Sequence, residues 1–204
     1  DRRCLISEAH RTVREAGFVA KVGRARGAPF GVLRLLIQSM PEIDTQAVPY
    51  PLKEPYLVHG LSAMANGAHP YFGYFEFPYF QHQVLKEVFS EIKKRVDYIG
   101  GETVKQVALL YSTQNRDFRP VELPKNRGEA HYMDYSLKDA YGSYEMLNRS
   151  HHLVDLVFDG QLTTEQLKDY PVLFLSDCSC LSDAQCDQIR SYVRGGGTPI
   201  ATHE

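Results

Sequence analysis

The chain has 204 residues, 43% hydrophobic and 24% charged, and its 23 basic against 25 acidic side chains leave a formal net charge of −2. That balance excludes the basic footprint of a nucleic-acid binder or of a protein held to anionic membranes, and no apolar run approaches the roughly 20 residues a bilayer demands. Four cysteines, three of them crowded at Cys178, Cys180 and Cys186, do not form the framework of a small secreted domain, so reduced thiols in a cytoplasm are expected.

In chain order, residues 7 to 22 place Ala9, Val13, Ala16 and Ala20 close to one helical face, with Ser7 as the N-cap, and predict a helix. "FGVLRLLIQSM", ended by Pro41, reads as a strand buried on both faces, as in a parallel sheet. The proline-rich stretch "PEIDTQAVPYPLKEP" reads as a loop, followed by a short helix near 56 to 66 on Leu57, Leu61 and Met64. "NGAHPYFGYFEFPYF" alternates at its centre like a strand, and a helix from about 81 to 99 follows on Leu85, Val88, Phe89, Ile92 and Val96 until Gly100 and Gly101 stop it. Helices alternating with strands imply parallel strands with helical crossovers.

The Gly-Gly pair marks a domain boundary between 1–101 and 102–204. "VKQVALLYS" opens a second series: a polar loop from 113 to about 135, a helix near 137 to 149, the strand "LVDLVF", a short helix begun by Thr163, and the strand "PVLFLS". Ser182 with Gln185 forms a capping box for the last helix, whose buried face is expected at Cys186, Ile189 and Val193. "TPIAT" reads as one more parallel strand. This half reads as an open α/β sheet of the flavodoxin-like or Rossmann-like kind. A start without Met and a stop just after a strand pattern read as those of a piece of a longer protein.

A cysteine after a strand, in "LFLSDCSCLSDAQ", occupies the place where some enzymes keep a nucleophile, but Cys178 is flanked by Ser176 and Cys180 without the glycines of a nucleophile elbow, and the only local candidates for a base are His203 and Glu204. C-x-C-x5-C does not match the spacing of a zinc site, so no metal is expected. His151 and His152 sit at a helix end, where histidines face the macrodipole favourably. "TQNRDF" stands where a dinucleotide binder would carry G-x-G-x-x-G, so no cofactor is expected. Carboxylates beyond strand ends are a different matter, because parallel barrels keep their functional groups there and glycoside hydrolysis requires two of them. Glu42 and Glu76 are the candidate catalytic pair. Gln38, Asp44, Tyr71 and Tyr74 are candidates for holding a carbohydrate, the aromatics by stacking on a sugar face.

"YPVLFLSDCSCLSDAQCDQIRSYVRGGGTPIAT", together with "VALLYS" and "SYEMLNRSHHLVDLV", resembles the trimerisation domain that follows the catalytic barrel in family 42 β-galactosidases and related hypothetical glycosyl hydrolases. "LSAMANGAHPYFG" and "VFSEIKKRVDYI" look like the segments around the last barrel strand and helix of such relatives. The resemblance implies that residues 1–101 are the C-terminal portion of a TIM barrel. It implies that residues 102–204 are an open sheet similar to class I glutamine amidotransferases, without their catalytic set. It further implies a glycosidase when complete, a homo-oligomer such as a trimer, Glu42 as the acid nearest the strand-seven nucleophile, and an acid/base partner upstream. A non-catalytic assembly module and a cysteine-dependent amidotransferase-like hydrolase are the alternatives.

Overall fold

The computed structural model describes residues 5–8, 15–27, 30–35, 53–73, 79–118 and 132–202. The chain divides into two compact units, Asp1–Glu102 and Thr103–Glu204. Among the described residues, seven strands form two sheets, both wholly parallel.

In the first unit the order is β1 (Leu5–Glu8), α1 (Glu15–Ala25), β2 (Phe30–Leu35), α2 (Lys53–Ala65), β3 (His69–Gly73) and α3 (Tyr79–Lys93), with a short 3-10 turn at Val96–Tyr98. The expected helix over 7 to 22 is therefore corrected at its start: Leu5–Glu8 pairs with Phe30–Leu33 as a strand, residues 9–14 lie outside the described residues, and Glu15–Ala25 is helical. The strands lie side by side in chain order, β1-β2-β3. Right-handed crossovers that always step in one direction put every helix on one face. α1 packs on α2 and α2 on α3, in a single layer.

Small residues let that layer sit close to the sheet. Ala16 and Ala20 of α1 and Ala63 of α2 close over Val32 with Ala68, all buried. Phe72 of β3 meets the rings of Tyr56, His59 and Phe89, the last edge-on at 5.6 Å. Successive strand side chains alternate faces, so Tyr71 lies on the side away from the helices, where it is 54% exposed. Gly67, at φ +87, ends α2 in a left-handed turn: its amide bonds Met64 O and the Ala68 amide bonds Ala63 O.

The second unit runs β4 (Val107–Tyr111), α4 (Thr113–Phe118), α5 (Tyr132–Arg149), β5 (Val154–Phe158), α6 (Thr164–Leu167), β6 (Val172–Ser176), α7 (Asp183–Arg194) and β7 (Thr198–Thr202). The expected polar loop after β4 is in part a helix, since residues 113–118 are α4. Here the strand order is β5-β4-β6-β7. The chain steps one way from β4 to β5 and the other way thereafter, so α5 lies on one face and α6 with α7 on the other. Covered on both sides, β4 and β5 are buried at every position.

Ala108, Leu110, Val157 and Leu173 face Leu162, Leu167, Tyr170 and Tyr192 in one continuous core. Each fully buried leucine in it contributes about 1.5–3 kcal/mol relative to exposure. The capping box is formed: Ser182 Oγ accepts from the Gln185 amide and Gln185 Oε1 accepts from the Ser182 amide. The buried face of α7 is rotated from the one expected. Tyr192 is buried, with its hydroxyl donating to Tyr170 O at 2.9 Å, while Val193 is 41% exposed. The two histidines act as a helix end rather than through charge alone: His151 takes a left-handed φ of 60, and the His151 and His152 amides bond Asn148 O and Leu147 O.

Where α7 turns into β7, a Cβ built on Gly197 would stand 2.1–2.5 Å from three atoms of the Tyr192 ring, which its buried hydrogen bond holds in place. Gly197→Ala is therefore expected to cost about 1–3 kcal/mol by overpacking, read as a lowered urea midpoint at unchanged slope. A variant as stable as the parent would show that the ring can move aside.

Candidate functional site

Two regions invite chemistry, one in each unit. In the first, sequence reasoning placed candidates beyond the C-terminal ends of β2 and β3. Tyr71 is described, and its ring is on the open face of the sheet. Gln38, Glu42, Asp44, Tyr74 and Glu76 lie outside the described residues. In sequence, Gln38, Glu42 and Asp44 follow β2 while Tyr74 and Glu76 follow β3, and β2 and β3 are adjacent parallel strands whose C-terminal ends point the same way.

In the second unit the strand order reverses at β4, and the C-terminal ends of β4 and β6 diverge into α4 and into the turn after Ser176. Ligands of open parallel sheets favour such a place. Asp159, just past β5 and only 3% exposed, organises it. Its carboxylate accepts four hydrogen bonds of 2.8 Å, from Ser112 Oγ, Thr113 Oγ1 and the amides of Gln114 and Gly160. Its own carbonyl accepts from Gln185 Nε2 at 2.9 Å. Burial alone would raise the Asp159 pKa, but the donors from Gln114, Thr113, Ser112 and Gly160 outweigh it and hold the carboxyl below its ordinary value. Asp159 thus joins the ends of β4 and β5 to the start of α7.

Asn115 makes the matching link to β6. Its Nδ2 donates to Asp177 O at 2.8 Å, and its Oδ1 accepts from the Ser179 amide, the Ser179 hydroxyl and the Cys180 amide. The turn so held has one strained residue, Asp177, at φ +45. Aspartate tolerates that region better than most residues. The elbow-like position after β6 is therefore filled by an acid, and Cys178 comes one place later.

Cys178 sits half-buried among acids. Its Sγ donates to Ser176 O at 3.4 Å and packs against the core of the unit. Burial first, then the charges of Asp177, Asp159 and Asp139, push the thiol up to about 12. Ser176 Oγ donates to Asp139 O and shares a 2.7 Å bond with Ser143 Oγ, neither of them a base. Among the described residues no group of three or more His, Cys, Asp or Glu could hold a metal ion, and no helix is long and apolar enough to cross a membrane. Sequence reasoning missed Asp159 and Asn115: the partners of Asp159 at the end of β4 and start of α4 lie 45–47 residues away, and those of Asn115 lie 62–65 residues away.

Two outcomes follow. A carboxyl whose folded pKa is depressed stabilises the fold above its unfolded value near 4, and that contribution is lost as pH falls through the lower folded value. Asp159→Asn should therefore lose less stability than the parent on acidification below about pH 4, and Asp159→Ala should cost at least about 2 kcal/mol at pH 7 by leaving buried donors unpaired; urea titrations across pH 2–7 read both. Cys178 should react with iodoacetamide at pH 8 roughly a thousandfold more slowly than an ordinary thiol, because the thiolate is what reacts. Alkylation at an ordinary rate, followed by peptide mass mapping, would contradict the burial argument.

No family model and no curated protein matches the sequence. Among solved structures, the chain is similar to α-L-fucosidase isoenzyme 2 from Paenibacillus thiaminolyticus, with a TM-score of 0.67 and 17% identity over 93% of this chain. The matched region is 27% of that protein, so the chain spans about a quarter of its length. At this identity the likeness is one of fold: a mixed α/β chain with parallel sheets, of a kind present in a glycoside hydrolase.

Proposed function

We propose that the chain is part of a glycoside hydrolase related to the family 42 β-galactosidases, with residues 1–101 an arc of its catalytic (β/α)8 barrel and residues 102–204 an amidotransferase-like oligomerisation domain. One observation carries the reading of the first unit. Three parallel strands in chain order, helices in one layer, and an exposed Tyr71 on the other face are what a segment of a closed barrel requires, because the helix-free face becomes the barrel interior. The second unit has the strand order expected of a flavodoxin-like sheet through its fourth strand. The fold likeness to a fucosidase supports a carbohydrate substrate at this coarse level.

In this reading Glu42 and Glu76 stand at the barrel mouth, beyond adjacent strands. One protonates the glycosidic oxygen while the other, or a carboxylate from the remainder of the barrel, attacks the anomeric carbon or activates water. A separation near 5 Å between the working pair gives retention, and roughly 6.5–9.5 Å gives inversion. Tyr71 and Tyr74 offer ring faces to the sugar, and Gln38 and Asp44 bind its hydroxyls. The second unit serves assembly, as a homo-oligomer.

The test is kinetic, on the full-length protein with aryl glycosides of several sugars. Glu42→Gln or Glu76→Gln should lower kcat by roughly a hundredfold to ten-thousandfold while the thermal midpoint stays within a few degrees, and Tyr71→Ala should act mainly on KM. Undiminished turnover in both glutamine variants would remove these acids from the mechanism.

A further inference from the structure

On the α5 side of the second sheet, at its C-terminal edge, lies a cavity of about 390 Å³. It is distinct from the Asp159 cluster and from the residues proposed for catalysis. Ser176 and Asp177 from the end of β6 and Thr202 from the end of β7 form one wall; Lys138 and Ser143 of α5 form the other, and Phe174 makes part of the apolar lining. Open parallel sheets bind small molecules just outside the C-terminal ends of their strands, and the volume is at the small end of ligand pockets.

One residue in this wall is not accounted for by packing. Gly142 sits inside the eighteen-residue helix α5, where glycine weakens a helix relative to alanine. Its backbone is not left-handed, and a Cβ built on it would meet nothing within 4 Å among the described residues. None of these neighbours forbids a side chain there. What the missing side chain leaves open is the cavity, which Gly142 itself lines.

The geometry points to a binding site for a neutral polyhydroxylated molecule the size of a monosaccharide. The exposed lining is mainly apolar, and half of its polar residues, Ser143, Ser176 and Thr202, carry hydroxyls able to donate and accept. Ser176 Oγ spends its proton on Asp139 O and is bonded to Ser143 Oγ, so this pair keeps acceptor capacity for ligand hydroxyls. The charged lining residues are one ammonium, Lys138, and two acids, Asp139 and Asp177, a balance that disfavours an anion. Phe174 and Met146 supply the apolar surface that the C–H face of a pyranose covers. The ligand would strap α5 to the ends of β6 and β7, beside the strained Asp177.

The full-length protein is titrated with D-glucose, D-galactose and L-fucose, read by saturation-transfer NMR and by amide shifts of the residues lining the pocket, with sodium phosphate and ethylamine as charged controls. At least one sugar is expected to bind with millimolar Kd and to shift the Gly142 and Ser143 amides. Gly142→Leu should weaken it at least tenfold without lowering the thermal midpoint, and Asp177→Asn, which keeps the backbone tolerance of the turn, should weaken it severalfold. Gly142→Ala, the milder filling, should raise the midpoint and weaken binding less. No saturation transfer from any sugar, shifts confined to other residues, or perturbation by phosphate or ethylamine alone would each overturn the assignment. Glu42→Gln and Glu76→Gln leave this binding intact, so it stands or falls separately from the proposed catalysis.

Discussion

A parallel strand can join its neighbour only through a crossover long enough to return to the starting edge, and that crossover turns right-handed. The rest of this structure depends on that constraint. In the first unit each crossover steps the same way, through α1 between β1 and β2 and α2 between β2 and β3, so the helices gather on one face and the opposite face is left with Tyr71 in the open. In the second unit the direction reverses after β5, the helices divide between two faces, and β4 and β5 are buried along their whole length. One rule, applied with and without a reversal, leaves the first sheet with a helix-free face and covers the central strands of the second on both sides, with β7 exposed along its length.

The reversal also creates the polar knot at the edge of the second sheet. Strand ends that diverge expose amides, and Asp159 and Asn115 satisfy them from across the fold. The result is a rigid support. It holds a strained aspartate after β6, beside the half-buried Cys178, whose thiol is pushed up by burial and by the neighbouring acids. The same support gives the cavity beside α5 a firm wall.

Elements with a strong local pattern were legible in the sequence. The capping box of Ser182 and Gln185 is a matter of three residues' spacing, and β4, β5 and β6 are five-residue strands made mostly of apolar residues. What escaped was set by partners distant in sequence. Leu5–Glu8 is a strand because Phe30–Leu33 lies beside it, whereas the neighbouring Ala9, Val13 and Ala16 carry a helical period that masks so short a segment. α4, "TQNRDF", has no apolar face, and its start is held by Asp159 from the next strand. On α7 the period allowed either Val193 or Tyr192 inward, and the Tyr170 carbonyl decides for the tyrosine that can bond it. Of the residues expected to hold or cleave a sugar, only Tyr71 lies among those described, exposed on the face of the sheet away from the helices.

The central claim is that the helix-free face of the first sheet is the inside of a barrel. A crystal structure of the full-length protein with a bound monosaccharide tests it most directly. The account predicts further parallel strands closing the sheet next to β1 and β3, with the sugar at the strand ends within hydrogen-bond reach of Glu42 or Glu76 and against Tyr71. A second layer of helices packed on the Tyr71 face, making the first sheet covered on both sides like the second, would contradict it.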